Sequence, residues 1–253
     1  MWSKIKTVGV VGTGVIGSSW TALFLSQGLN VLVSDPAPAA EKNLASYLES
    51  VWPTLKEIGL ASGASMANYK FVGATLDGHY DKVDFIQEVR DPVKVDLPVM
   101  LTLRIQNTSE RQNMKIKIVG GLDANLRPEV VIASSSSGIP SSKFIGECKK
   151  HPERVLIGHP FNPPHLMPLV EVVPHPGCSE EVIQKALAVY KSLGKRPVLV
   201  KEEAPRFAAN RLQAALCNEA YSLVAHDMLS APDLGQSPLP PQMLLRLLDE
   251  RRS

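Results

Sequence analysis

The sequence predicts an α/β fold built on a doubly wound, mostly parallel sheet. Short apolar segments of strand length alternate with longer segments of helical spacing from Ile5 to about residue 200. A glycine-rich turn (Gly12, Gly14, Gly17) stands between the first of these strands and the first helix. From Ala204 onward the pattern turns helical. We therefore predict an N-terminal Rossmann-type domain over residues 1–200 and a helical domain over residues 201–253.

The predicted elements follow in chain order. Strands are expected at residues 5–11, 29–33, 69–72, 83–87, 130–134, 154–158, 169–173 and 197–200. A helix is expected directly after the glycine turn, where Trp20, Leu23 and Phe24 share a face and Gly28 marks the end. Further helices are expected at residues 38–59, 110–126 and 179–193.

The amino-acid composition limits which classes of protein this chain can belong to. The chain has 253 residues, of which 44% are hydrophobic and 21% charged, so it can bury a core and is not disordered as a whole. A net charge of +2 with interspersed signs does not favour nucleic acid or an acidic membrane as a partner. No apolar segment approaches the roughly 20 residues that cross a bilayer. Three unrelated cysteines indicate a reducing compartment, and strand-like residues near the start leave no room for a leader, so we expect a cytoplasmic protein.

The glycine turn predicts a dinucleotide site. Gly12 makes the tight turn, Gly14 lets the backbone approach a pyrophosphate, and Gly17 lets the helix pack close to the strand. Asp35 ends the next strand, 18 residues past Gly17, where an acid bonds the ribose hydroxyls and repels the extra phosphate of NADP. NAD is therefore the expected cofactor. A glycine loop that binds no dinucleotide is the alternative. The expected cofactor-binding residues here are Gly12, Gly14, Val15, Ile16, Gly17 and Asp35.

His159 is the candidate general base. Oxidation of an alcohol needs a base for the hydroxyl proton, and histidine suits this role because its pKa lies near neutral pH. His159 follows a predicted strand, and Glu171, 12 residues on, can return on an antiparallel strand to orient the imidazole. A core or solvated histidine is the alternative. A metal pair with His165 is not expected, because a proline-rich spacer fixes no ligand geometry.

Six segments together resemble the L-3-hydroxyacyl-CoA dehydrogenase superfamily. They are Val-Gly-Thr-Gly-Val-Ile-Gly, Val-Ile-Ala-Ser-Ser-Ser-Ser, Gly-His-Pro-Phe-Asn-Pro-Pro, Pro-Leu-Val-Glu-Val-Val, Leu-Gly-Lys-Arg-Pro-Val and Phe-Ala-Ala-Asn-Arg-Leu. They occur in the family's order and cover roughly residues 4–234. Within the superfamily, the chain most resembles carnitine 3-dehydrogenase and lambda-crystallin (L-gulonate 3-dehydrogenase), because a proline follows His159 and a Pro-Leu-Val-Glu segment follows later.

The resemblance implies the role of each matching residue. His159 matches the family's general base and Glu171 its orienting acid. Ser137 matches a serine that bonds the substrate, Asn210 an asparagine that helps hold it, and Glu88 an acid on the nicotinamide side of the NAD site. The implied activity is NAD-dependent oxidation of the 3-hydroxyl of a 3-hydroxyacyl-CoA or small 3-hydroxy acid to a 3-keto group. The alternatives are the same chemistry on carnitine or L-gulonate, or an inactive NAD-binding scaffold. Family members dimerise through the helical domain.

The chain departs from the family pattern at three places. Residues 89–106 separate Glu88 from Asn107, which are adjacent in the family, so we interpret this segment as an insertion or a retained intron. Arg206 stands where the family has glycine in a turn. The resemblance ends at Leu234, so the helical domain is expected to be truncated.

Overall fold

One sheet of eight strands organises the part of the chain that the computed structural model describes, residues 5–89 and 109–236. The strands are β1 (Thr7–Val11), β2 (Asn30–Ser34), β3 (Tyr69–Phe71), β4 (Phe85–Glu88), β5 (Val131–Ser134), β6 (Val155–Pro160), β7 (Leu169–Pro174) and β8 (Arg196–Leu199). The α-helices of this part are α1 (Val15–Ser26), α2 (Ala40–Ile58), α3 (Ser109–Asn125), α4 (Glu180–Ser192), α5 (Ala209–Ala225) and α6 (Ala231–Gln236).

The strand order is that of a doubly wound sheet. It runs β3-β2-β1-β4-β5-β6-β7-β8, and all neighbours from β3 to β6 are parallel. Strand β7 returns antiparallel to β6, because residues 161–168 are too few for a crossover, which needs about a dozen residues or more. Strand β8 is parallel to β7 and follows α4. The predicted fold class is confirmed.

The register aligns the carboxyl ends of the central strands. Val11, the last residue of β1, pairs with Ser34 and with Glu88, which are the last residues of β2 and β4. Glu88 pairs in turn with Ser134, and Ser134 pairs with Ile157 of β6. The residues that follow these positions therefore emerge at one edge of the sheet, where open α/β sheets bind their ligands.

The core lies against the central strands, which read as almost uninterrupted apolar segments. Strands β1, β4 and β5 are buried at nearly every position, as expected for parallel strands covered on both faces. Trp20 of α1 stacks on Phe24 with ring centroids 5.4 Å apart, and both are fully buried. A buried ion pair between Asp123 and Arg154, 3.0 Å apart, joins the end of α3 to the segment before β6.

The strand and helix bounds predicted above differ from the observed ones by at most two residues. The edge strand β8 contains Pro197, which has no N–H group and is tolerated at an edge. Of the suspected insertion 89–106, only Val89 belongs to the described residues, and its N–H donates to Val11 O at 2.9 Å. Residues 237–253 also lie outside the described residues.

The chain divides into two units, the first ending at Glu203 and the second beginning at Ala204. The division expected after residue 200 lies three residues earlier. A physical reason for the difference is the Glu203 carboxylate, which accepts hydrogen bonds from Ser141 Oγ at 2.7 Å and Ser142 N at 3.1 Å. Across both described stretches, no helix is long and apolar enough to cross a bilayer.

The turn at the start of the second unit has a left-handed backbone. Arg206 has φ 65° and Phe207 has φ 53°. This is the conformation that glycine adopts without steric cost and that costs an L-residue roughly 1–2 kcal/mol. Because the Arg206 side chain is exposed, its removal takes away no packing. The turn thus has the conformation for which a glycine would be selected.

We expect Arg206→Gly to raise the free energy of unfolding by about 0.5–1 kcal/mol, because the gain from removing strain is partly offset by the greater freedom of glycine in the unfolded chain. Chemical denaturation of the full chain measures this difference. Arg211→Gly, at an exposed position inside α5, is the matched control and should lower stability by about 1 kcal/mol. Equal destabilisation by both variants would show that the turn is not strained.

Candidate active site

The candidate site lies at the carboxyl edge of the sheet. The strand order reverses between β1 and β4, which makes this the topological switch point where such sheets bind nucleotides. The glycine turn follows β1, Asp35 follows β2, and His159 lies two residues past the Ile157–Ser134 register pair. The fold therefore gathers at one edge the residues that the sequence analysis predicts for cofactor and chemistry in the first unit.

The glycine turn is shaped by close backbone approach. Gly12 has φ 107°, which disfavours any side chain. A Cβ at Gly17 would lie 1.9 Å from the carbonyl oxygen of Gly12, so the helix and the turn pack at a distance that only glycine permits. A Cβ at Gly14 would meet no atom within 4 Å, so that side of the turn is open. No side chain caps the N-terminus of α1, which leaves its first N–H groups for an anion.

Asp35 lies against the glycine turn. Its Oδ2 accepts hydrogen bonds from Thr13 N at 2.7 Å and Thr13 Oγ1 at 2.9 Å, and its Oδ1 accepts one from Ala37 N at 2.9 Å. These bonds fix an acceptor carboxylate beside the open turn. The open face at Gly14, the uncapped helix and this carboxylate are the features that a dinucleotide requires. The residues therefore fit NAD.

His159 and Glu171 form a buried cross-strand pair. They face each other in the β6–β7 register, and His159 Nδ1 lies 2.8 Å from Glu171 Oε2. Their residues are 6% and 2% exposed, so the pair is protected from water. A carboxylate only accepts hydrogen bonds, and Nδ1 therefore carries the ring hydrogen. This arrangement leaves Nε2 as the basic nitrogen. The structure brings the two residues together, and their catalytic roles stay predictions.

A buried polar network contacts Gly158, the residue before His159. Gln87 of β4 donates from Nε2 to Ser135 Oγ at 2.8 Å and to the carbonyl of Gly158 at 3.3 Å. Tyr190 donates to Gln87 Oε1 at 2.8 Å, and Trp20 donates to Ser135 Oγ at 3.2 Å. A Cβ at Gly158 would lie 1.9 Å from the Tyr190 hydroxyl. The network thus joins the ends of β4, β5 and β6, and burial raises the pKa of Tyr190.

Glu88 is fully buried at the end of β4. Its Oε2 accepts hydrogen bonds from Lys115 Nζ at 2.6 Å and from Ser134 Oγ at 2.6 Å. Lys115 also lies over the ring of Phe144, 5.6 Å from its centroid. Glu88 is thus held in a charged cluster of α3 and the strand ends, and its contact with a cofactor stays a prediction.

Ser137 and Asn210 are the two residues predicted to bind the substrate. Ser137 is exposed in the loop after β5, at the same edge as His159. Asn210 belongs to the second unit, in the first turn of α5. Their substrate contacts stay predictions. In the part of the chain with described structure, no group of three histidine, cysteine or acidic side chains converges on a metal position.

Sequence reasoning did not find Gln87 and Tyr190. Gln87 carried a signal, because it is an amide within a strand that is otherwise expected to be buried and apolar. Tyr190 carried none, since a tyrosine on the apolar face of a helix is an ordinary core residue. Only the packing of α4 on the sheet brings its hydroxyl to the amide.

We expect Tyr190→Phe to lower the free energy of unfolding by about 1–3 kcal/mol, because it leaves the buried Gln87 Oε1 without its donor. Thermal and chemical denaturation measure the loss. Tyr221→Phe, at a side chain that is 73% exposed, removes the same hydroxyl and should change stability by less than about 0.5 kcal/mol. A similar small effect of both variants would argue against the network.

Known proteins resemble this chain over most of its length. Residues 7–203 match the family described as "3-hydroxyacyl-CoA dehydrogenase, NAD binding domain". The chain is 48% identical over 234 residues to a 3-hydroxyacyl-CoA dehydrogenase of Gibberella moniliformis, covering 92% of this chain and 66% of that protein. It is 42% identical over 222 residues to an L-carnitine dehydrogenase of Pseudomonas aeruginosa, covering 88% and 63%. The chain therefore spans slightly less than two thirds of the length of these relatives.

A solved structure shows the same fold. The (S)-3-hydroxybutyryl-CoA dehydrogenase of Ralstonia eutropha superposes with a TM-score of 0.72 at 26% identity, covering 91% of this chain and 75% of that one. The family match covers more than half of the chain and includes the glycine turn, His159 and Glu171. The chain belongs to the 3-hydroxyacyl-CoA dehydrogenase family, through that family's NAD-binding domain.

Proposed function

We propose that the chain is an NAD-dependent dehydrogenase that oxidises the 3-hydroxyl group of a 3-hydroxyacyl-CoA, or of a small 3-hydroxy acid, to a 3-keto group. The observation that carries this proposal is the buried pair of His159 and Glu171 at the same sheet edge as the glycine turn. A base with its orienting acid beside a dinucleotide site is the arrangement that alcohol oxidation needs. Membership of the family supports the reaction class.

His159 and Glu171 have different roles in the proposed oxidation. Nε2 of His159 accepts the proton of the substrate hydroxyl, because Nδ1 is engaged by Glu171. Glu171 holds the productive tautomer and stabilises the imidazolium that forms. When NAD is bound, its nicotinamide ring accepts the hydride. The burial of both side chains keeps water from competing for the proton.

The remaining site residues bind and orient. We assign the pyrophosphate to the glycine turn and the first N–H groups of α1, and the ribose hydroxyls to Asp35. We assign Glu88 to the nicotinamide side, and Ser137 and Asn210 to the substrate. The residues proposed to hold NAD are Gly12, Gly14, Val15, Ile16, Gly17, Asp35 and Glu88.

L-carnitine is the second candidate substrate. Its 3-hydroxyl group requires the same base and the same hydride acceptor, so the pair of His159 and Glu171 serves both reactions. The specific support is that several of the similar proteins are L-carnitine dehydrogenases. L-gulonate, implied by the resemblance to lambda-crystallin, completes the set to be tested.

We also propose a cellular location, an oligomeric state and a domain division for the protein. A reducing, cytoplasmic location is supported by three cysteines that form no disulfide. Burial raises the pKa of the Cys148 and Cys178 thiols to about 12, so both stay protonated at neutral pH. The family resemblance supports a homodimer through the helical domain. The change to a helical pattern from Ala204 onward supports a domain division near residue 201.

We expect His159→Ala to lower kcat for the best of the three substrates by roughly 10²- to 10⁴-fold, because the hydroxyl proton loses its acceptor. The assay follows NADH formation with 3-hydroxybutyryl-CoA, L-carnitine and L-gulonate in turn, using the chain with and without residues 89–106. His226→Ala, at an exposed histidine after α5, is the control and should leave kcat unchanged. Bound NAD without turnover of any substrate would overturn the proposed activity.

We expect Gly14→Ala to weaken NAD binding at least about tenfold without changing the midpoint of thermal unfolding. The added methyl group meets no protein atom within 4 Å, yet it occupies the side from which the pyrophosphate approaches. Calorimetric titration with NAD measures the affinity. Gly121→Ala, which also meets nothing within 4 Å, is the control and should bind NAD normally. Unchanged affinity in Gly14→Ala would place the phosphates elsewhere.

A further inference from the structure

The segment of residues 161–168, here called the 161–168 loop, connects the strand of His159 to the strand of Glu171. Its conformation therefore sets where the two strand ends lie relative to each other. Within the loop, the N–H groups of Leu166 and Met167 donate to the carbonyl of Pro163 at 3.0 Å and 2.9 Å. Eight residues, three of them proline, can make few further bonds among themselves, so the loop depends on contacts from outside.

The first outside contact comes from the helix that begins at the cofactor site. Ser19 of α1 is fully buried, and its Oγ accepts a hydrogen bond from His165 N at 2.9 Å. The same oxygen lies 2.7 Å from His165 Nδ1. The Tyr47 hydroxyl of α2 lies 3.5 Å from this nitrogen, and the two rings meet edge-on at 6.2 Å. Two hydroxyl groups thus face Nδ1, and either can donate to a neutral ring.

The second outside contact comes from Lys195, the residue before β8. Its Nζ donates to the carbonyl of Met167 at 2.9 Å and to the carbonyl of Pro164, while the next N–H, that of Arg196, donates to Pro168 O at 2.8 Å. The residue is only 7% exposed. Among the described residues its ammonium group bonds main-chain carbonyls and no carboxylate. A buried cation of this kind is costly, which indicates that its contacts have a role other than stability.

We propose that His165 and Lys195 are positioning residues: they hold the 161–168 loop from its two sides and so keep His159 and Glu171 at hydrogen-bond distance. This inference rests on the proposed function. In this proposal, neither His165 nor Lys195 contacts the substrate or the cofactor. They act through the loop, by fixing the strand ends on which the base and its orienting acid lie.

The charge of His165 matters for this contact. The hydroxyls of Ser19 and Tyr47, from α1 and α2, face its ring, and the charge of Lys195, the residue before β8, acts on it. Burial and the charge of Lys195 lower the pKa of His165 below its usual value of 6.5. The ring is therefore neutral at neutral pH. As the pH falls through this lowered pKa, the ring gains a charge beside Lys195, and the contact weakens.

The test combines turnover with amide hydrogen exchange on the full chain. We expect His165→Ala and Lys195→Met each to lower kcat about tenfold or more, with little change in NAD affinity, and to speed exchange at the loop amides of His165, Leu166 and Met167. Lys195→Met should keep the midpoint of thermal unfolding, since it removes a buried charge. Unchanged exchange, or faster exchange with unchanged kcat, would overturn the proposal.

A pH profile separates positioning from a purely structural role. The contact of the 161–168 loop with Ser19 and Tyr47 requires a neutral His165, so log kcat/KM of the unmodified protein should fall at acid pH in part because His165 gains a proton. His165→Asn keeps an acceptor for the two hydroxyls and cannot be protonated. We expect it to restore kcat at neutral pH and to make the fall of log kcat/KM at acid pH less steep.

The control for the profile is His175→Asn, at another buried histidine, which bonds Pro152 O and Gly177 N. It should leave the acid slope as it is in the unmodified protein. An acid slope in His165→Asn that equals the slope of the unmodified protein would overturn the proposal. No turnover by the unmodified protein would instead overturn the proposed function, and this inference with it, whatever the exchange rates are.

Discussion

The hydrogen bond between His159 and Glu171 is the interaction on which the proposed chemistry depends, and chain geometry produces it. Residues 161–168 cannot span a parallel crossover, so β7 has to return antiparallel to β6. The return places Glu171 opposite His159, with their side chains on the same face of the sheet. A shift of this register by one residue would turn the carboxylate to the other face of the sheet.

The glycine turn meets this pair because parallel strands share one carboxyl edge. The turn leaves no room for a side chain at Gly17, because the helix after β1 starts so close to it that a Cβ there would lie 1.9 Å from the carbonyl oxygen of Gly12. The same closeness leaves the N–H groups at the start of α1 facing the edge where His159 emerges. Cofactor and base are therefore brought together by sheet topology, across about 150 residues of sequence.

Buried polar groups connect these parts at a cost in stability. Gln87 and Tyr190 belong to a network that joins three strand ends, and Lys195 holds the 161–168 loop through carbonyl oxygens. Burial lowers the pKa of Lys195 to about 8, which is the signature of a charge that the surroundings do not fully compensate. Apolar side chains of similar size would pack as well in these places. The presence of Gln87, Tyr190 and Lys195 beside the candidate site therefore favours a role in fixing its geometry.

The sequence by itself determined the fold class, the positions of the strands and helices, the glycine turn and the pair of His159 and Glu171. These depend on local patterns: apolar periodicity, glycine spacing, and a loop too short for a crossover. It also singled out Arg206, whose left-handed backbone the turn requires. The tertiary structure alone decided the partners of Gln87, Glu88, His165 and Lys195. Those contacts join residues that are up to about 150 positions apart, and the packing of helices on the sheet, which leaves no periodic trace in the sequence, sets which of them meet.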